Sequence, residues 1–259
     1  MISRAPGTGS SFGLAAVLTR AGVTALRAVA PGGRGRWERT NHAGRTVALH
    51  AGPACAVAAA VAAGRVRPAA GLAVLAAGAC GAYDDTAGAG DPRRGFRAHL
   101  SALRQGEVTS GAVKLFGISA AGLAAGALLK ERALDKVLAG VVIAGTAHLV
   151  NLVDVRPGRA AAAVLALGAP GLPRKGPGAR CAAAAMGAAA AVLPDDLGER
   201  EMLGDTGAHA LGAALGAAVA VSRGRAGLAA HAAALVAAAV CGDRVSAAAR
   251  WAGPRGCAG

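Results

Sequence analysis

The sequence predicts an all-α fold, a polytopic transmembrane helical bundle of about nine spans, and three observations predict it. Hydrophobic residues make up 54% of the 259 and charged residues only 16%, with mean hydropathy +0.45, a balance too apolar for an ordinary soluble domain. Apolar segments bounded by charges and prolines recur along the whole chain. Small residues dominate every segment, which suits close helix contacts of the small-xxx-small kind. No internal repeat or separate soluble domain interrupts the series, so 1–259 reads as one integral-membrane domain. The rival reading, a soluble Ala-rich helical protein, is disfavoured because 40 glycines are poor material for a water-soluble helical core.

The first segment, 12–30, contains Arg20 and Arg27, whose heads must snorkel or face the bundle interior. Arg4, the short apolar stretch and Ala28-Val29-Ala30 before Pro31 imitate a signal peptide, but Arg20 interrupts the apolar core, which favours an uncleaved span. Segments 47–64, 68–83, 113–129 and 137–153 follow, then 159–173, 181–194, 206–222 and 226–242. Several fall short of the ~20 residues needed to cross ~30 Å of hydrocarbon, so 159–173 and 181–194 read equally as re-entrant or fused. The cysteines at 55, 80, 181, 241 and 257 lie far apart, mostly inside apolar runs and without paired spacing, and read as buried thiols, neither metal site nor disulfide frame.

With nine spans, connectors 31–46, 84–112, 154–158 and 195–205 emerge on one face, and every polar constellation that looks chemical falls there. These are "RTNHAGR" (39–45), "YDDTAGAGDPRRGFRAHLSALRQGEVTSGAVK" (83–114), "NLVDVRPGR" (151–159) and "PDDLGEREMLGDTGAHALG" (194–212). Arginine and lysine populate both sets of connectors, so the positive-inside rule favours a cytoplasmic first face only weakly. The net charge of +14 does not indicate nucleic acid, because only 2% of residues are aromatic and the arginines lie in short clusters between apolar runs. Such connectors attract an anionic membrane lipid surface or a phosphate-bearing substrate.

Two adjacent carboxylates, Asp84 and Asp85, end an apolar run, "AGACGAYDDTAG". Like charges there are costly unless a cation, a proton or water takes up the charge. Asp205 and Asp154 fall on the same predicted face, and Asn151 precedes Asp154 by three residues, so those two share a helix face. A hard cation such as Mg2+, with Mn2+ as an alternative, takes one or two carboxylates plus substrate phosphates and water. Arg93, Arg94, Arg97 and Lys114 would attract the same anion.

The order of these motifs resembles the polyprenyl-phosphate N-acetylhexosamine-1-phosphate transferases, which include phospho-N-acetylmuramoyl-pentapeptide transferase and the UDP-GlcNAc:undecaprenyl-phosphate GlcNAc-1-phosphate transferases. The resemblance runs from "TNHAGRTVALHAGPA" through the "DD" pair, "RGFRAHLSALRQGEVTSGAVKL" and "NLVDVRPGRA" to "MLGDTGAHALGAALG", the most specific match. It implies transfer of a sugar-1-phosphate from a UDP-amino sugar to a polyprenyl phosphate, Mg2+-dependent, releasing UMP at the cytoplasmic face of the cell membrane in cell-wall or surface-glycan synthesis. It implies that Asp84, Asp85 and Asp205 are catalytic, with Asp205 and Asp85 at the metal. Asn151, Asp154, Lys114, Asn41, Arg45 and His209 would then contact substrate. A homodimer is compatible with it.

The chain also departs from that pattern. Arg156 and Pro157 replace a second acid and a flexible glycine, Ala208 replaces the signature serine, and no His-rich loop precedes the C-terminus. A catalytically degenerate member that binds lipid phosphate or a partner enzyme as a scaffold or regulator is therefore the alternative. A small-solute transporter is weaker, because the polar residues gather at one face rather than the midplane. Asp195 and Asp196 read as a loop start in a Pro-Asp-Asp turn before Gly198. His50, His148 and His231 read as buried, hydrogen-bonded histidines, and His42 and His99 as weak candidates at span edges. Gly204 and Gly207 read as a tight turn that brings main-chain N–H groups near an anion.

Overall fold

The computed structural model describes residues 7–88 and 95–251, the side chains of 95–97 excepted. It is all-α apart from one small hairpin, β1 (Glu38–Thr40) antiparallel to β2 (Thr46–Ala48). The helices are α1 (Thr8–Val29), α2 (Ala51–Gly64), α3 (Pro68–Ala87), α4 (Gly95–Arg104), α5 (Ser110–Leu129), α6 (Ala133–Val153), α7 (Arg159–Gly168), α8 (Pro177–Leu197), α9 (Gly204–Ser222), α10 (Arg225–Val240) and α11 (Gly242–Trp251). Each of the nine apolar segments coincides with one helix, while α4 and α11 are additional.

Three helices among the described residues, α1, α5 and α6, are long and apolar enough to cross a membrane. The pair α10 and α11, bent by 84°, makes a fourth if taken as one span. Helices α2 and α7 are apolar but shorter.

Helix α9 is the central element, packed against α2, α3, α6, α7 and α8. Its side chains are mostly Ala and Gly and nearly all buried. Backbones therefore approach closely, and contact over many small groups replaces the interlocking of large side chains. Gly81 on α3 shows the consequence: a side chain there would collide with the Asp205 carbonyl and come within 2.7 Å of the Thr206 amide. Only glycine lets the C-terminal end of α3 reach the N-terminal end of α9.

Helix directions alternate, so the C-terminal ends of α1, α3, α6 and α8 meet the N-terminal ends of α2, α5, α7 and α9. Contacts tie this end together: Arg27 to Glu201, Lys114 to Asp84, Asn151 to Asp205, and the Gly158 amide to Asp196. The opposite end is marked by Arg225 to Asp135 (2.7 Å) and Lys130 to the Arg223 carbonyl (2.9 Å). The described parts of the four connectors expected on one face, residues 89–94 lying outside them, do meet at one end of the bundle.

Two expectations are corrected. The segment expected to be helical from 47 begins as a strand, because Asn41 closes a tight turn: its Oδ1 accepts the amides of Ala43 (2.9 Å) and Arg45 (3.0 Å), and Gly44 has φ +78°. Asp195 and Asp196 do not start a loop; α8 continues through Pro194 to Leu197. Arg20 offsets the weakened helix there by donating to the Ala191 carbonyl (3.2 Å) and to Asp195 (2.6 Å).

Candidate functional site

The polar end carries four helix N-termini, whose orphan amides and dipoles present partial positive charge. Helix α5 is capped locally, by Thr109 Oγ1 accepting the Ala112 amide at 3.1 Å. The others are capped by carboxylates from elsewhere in the chain. Glu201 Oε2 accepts the Ala51 amide of α2 at 2.9 Å, Asp196 accepts the Gly158 amide ahead of α7 at 3.1 Å, and Asp85 caps α9.

Asp85 accepts three hydrogen bonds from the start of α9. Its Oδ1 accepts the Asp205 amide (2.9 Å), and its Oδ2 accepts the Thr206 amide (2.9 Å) and hydroxyl (2.5 Å). Gly204 permits this with φ +58° and no Cβ, which would lie 2.9 Å from Asp85 Oδ2. The tight turn around Gly204 does bring main-chain amides to an anion, and that anion is Asp85 itself. Asp85, expected at the metal, here holds the turn from which Asp205 projects.

Asp84 and Asp205 are brought together by a cation of the chain's own. Lys114 Nζ, reaching from the first turn of α5, donates to Asp84 Oδ2 at 2.6 Å and to Asp205 Oδ2. Asn151, in the last turn of α6, donates to Asp205 Oδ1 at 2.7 Å. Four helices thus supply one constellation of Asp84, Lys114, Asn151 and Asp205. Among the described residues no three His, Cys, Asp or Glu side chains form a metal-binding group. Asp84 and Asp205 are the two carboxylates that could hold a divalent cation, with water and phosphate oxygens as its other ligands.

Asp154 follows at the C-cap of α6. Burial, then the charges of Asp196, Asp205 and Asp85, raise its carboxyl well above the usual carboxylate range. His209 is fully buried behind the site, its Nδ1 2.7 Å from the Asp205 carbonyl and its ring edge-on to His148 at 5.4 Å. It has no surface to offer a substrate, so the expected contact is replaced by support of the turn of α9 that carries Asp205. Asn41 and Arg45 are held by Glu199 on the α8–α9 connector, at 2.6 and 2.9 Å, at the rim rather than among the acids. Arg93 and Arg94, and the side chain of Arg97, lie outside the described residues.

Beside the acids a cleft of about 400 Å³ opens between the hairpin and α3, lined by Arg36, Trp37, Arg39, Asp85, Thr86 and Thr206 among others. Arg39 also donates to the Asp85 carbonyl at 3.0 Å.

The sequence reading missed Glu201. It is buried and accepts from Arg27 Nε (2.8 Å) and the Ala51 amide (2.9 Å), with His50 Nδ1 at 3.1 Å. The available signal was the spacing of Arg20 and Arg27: seven residues apart on an apolar helix, they face the same way and need partners. Those partners are Asp195 and Glu201.

No protein-family model matches the chain, and no curated protein matches it in sequence.

Proposed function

We propose that the chain is an integral-membrane sugar-1-phosphate transferase of the polyprenyl-phosphate class its motifs resemble. It takes a sugar-1-phosphate from a UDP-amino sugar, passes it to a polyprenyl phosphate and releases UMP. In this reading the nine apolar helices are membrane spans, with the N-terminus outside and the polar end at the cytoplasmic face. One observation carries it: Asp84, Lys114, Asn151 and Asp205 converge from four helices at the end where four helix N-termini point. Two carboxylates able to share a divalent cation, with an ammonium between them, suit two anionic phosphates that must approach each other.

Asp205 and Asp84 would hold Mg2+, which supplies charge neutralisation across the pyrophosphate. Lys114 offsets the remaining repulsion between the two phosphates. Asp84 positions the lipid phosphate or takes its proton, a modest task because a phosphate monoester's second pKa is about 6. Asn151 fixes the rotamer of Asp205, and Asp85 fixes the turn from which Asp205 projects.

The test is exchange of radiolabelled UMP into a panel of UDP-sugars in membranes containing the full chain. Exchange that requires lipid phosphate and a divalent cation supports the reading. Asp205→Asn should lower turnover and metal dependence together, and Asp84→Asn should lower turnover more than donor binding, less severely as pH rises. Near-normal turnover in both variants would refute the site. Absence of exchange with every donor would leave the scaffold or regulator as the better reading.

A further inference from the structure

Lys114 sits between the two carboxylates that would hold a divalent cation. Its ammonium bonds the Oδ2 atoms of both Asp84 and Asp205. The second oxygen of Asp205 is taken by Asn151, and both oxygens of Asp85 are taken by the start of α9. A cation taking the facing Oδ2 atoms of Asp84 and Asp205 must therefore displace the lysine. The lysine is the easier to move, because its ammonium ends a flexible four-carbon stem, whereas the Asp85 bonds fix a backbone. The site is also open enough for exchange: Lys114, Asp84 and Asp205 side chains retain 17, 20 and 24% of their exposure.

We infer that Lys114 is a tethered competitor for the divalent cation, holding Asp84 and Asp205 together in the metal-free chain and released towards the incoming phosphate when the cation binds. This rests on the metal-dependent reading of the site above. One residue is then both the stabiliser of the acid pair and a cation freed only once the metal is in place. Lysine and metal then share a single pair of oxygens, so the two positive charges reach a phosphate in sequence.

Mn2+ binding to the purified full chain in detergent, read by electron paramagnetic resonance, tests this without catalysis. Removing the ammonium frees two charge-assisted hydrogen-bond acceptors, so Lys114→Met and Lys114→Gln should bind Mn2+ about tenfold tighter or more. Lys114→Arg, which keeps the charge, should bind no tighter than the parent chain. The gain should vanish when Asp205→Asn is added to Lys114→Met. In the unmodified chain, amine acylation at Lys114, read by mass spectrometry, should increase when Mg2+ is added without substrate; this arm needs no variant to fold.

Unchanged or weaker Mn2+ binding in both neutral variants, each with an intact unfolding transition, overturns the inference. So does labelling of Lys114 that ignores Mg2+. The UMP-exchange assay separates the two ideas. Tighter Mn2+ binding without exchange sustains the competition and sinks the transferase, whereas metal-dependent exchange with unaltered Mn2+ affinity does the reverse.

Discussion

Asp84 and Asp85 are adjacent and chemically identical, yet their contacts predict unequal responses to substitution. Asparagine at 85 keeps one oxygen for the Asp205 amide but turns an NH2 group towards Thr206, whose amide and hydroxyl both donate to Oδ2. At least one charge-assisted bond is lost and a donor is left facing a donor, about 1.5–3 kcal/mol. Loss of the negative charge at the N-terminus of α9 adds about 0.3–1 kcal/mol. The expected destabilisation for Asp85→Asn is roughly 2–4 kcal/mol. Asp84→Asn keeps an acceptor for Lys114 at a partly exposed position and should cost about 1 kcal/mol or less. Reversible unfolding in mixed micelles measures both, and hydrogen exchange should show faster exchange at the 205 and 206 amides in Asp85→Asn alone. Equal destabilisation by the two variants, or unchanged protection at 205 and 206, would refute the assignment of Asp85 to helix capping.

Gly204→Ala should destabilise by about 2 kcal/mol in the same unfolding assay, since φ +58° disfavours any side chain and the added methyl crowds Asp85 and Leu49. Glu201→Gln should cost roughly 2 kcal/mol: the 3–5 expected for breaking a fully buried pair is reduced because Arg27 is 41% exposed. Asp154 carries a raised carboxyl in the folded chain, so its contribution is fully present below the unfolded carboxylate range and is lost as pH rises through the raised value. Thermal unfolding against pH should therefore show the parent chain losing stability with rising pH relative to Asp154→Asn, and parallel curves would count against that carboxyl being protonated in the fold.

The all-α architecture was legible because hydrophobic runs and their charged boundaries are local properties; all nine segments correspond to helices. Convergence of Asp84, Lys114, Asn151 and Asp205 was legible too, since counting alternating helices puts their ends together. Span count was less so: α3, α8 and α9 have the length of a span, but their glycines and the polar residues they carry at the site end lower their hydropathy, and only α1, α5 and α6 are apolar enough singly. The division of labour among the acids was not legible. Whether Asp85 faces a cation or a helix end depends on where Gly81 allows α9 to sit, a contact made across more than a hundred residues of chain. The hairpin at 38–48 was overlooked because its strands are three residues each, too short for alternation to register, although Asn41 and Gly44 carry the turn signal.

Acid pairs at the polar end separate by what their partners could release. Glu201 is 1% exposed and holds a helix amide as well as Arg27, and Asp195 is 8% exposed between Arg20 and Arg200. Opening either pair strands a carboxylate in the interior or frees a helix terminus, so these residues act as braces. Asp84 and Asp205 share one lysine at two to three times the exposure of Asp195, and their bonds to it fix no backbone. The braces make that exchangeable pair possible. With α2, α7 and α9 each anchored by a carboxylate from elsewhere in the chain, Lys114 can leave its two acids without the helices that carry them moving apart.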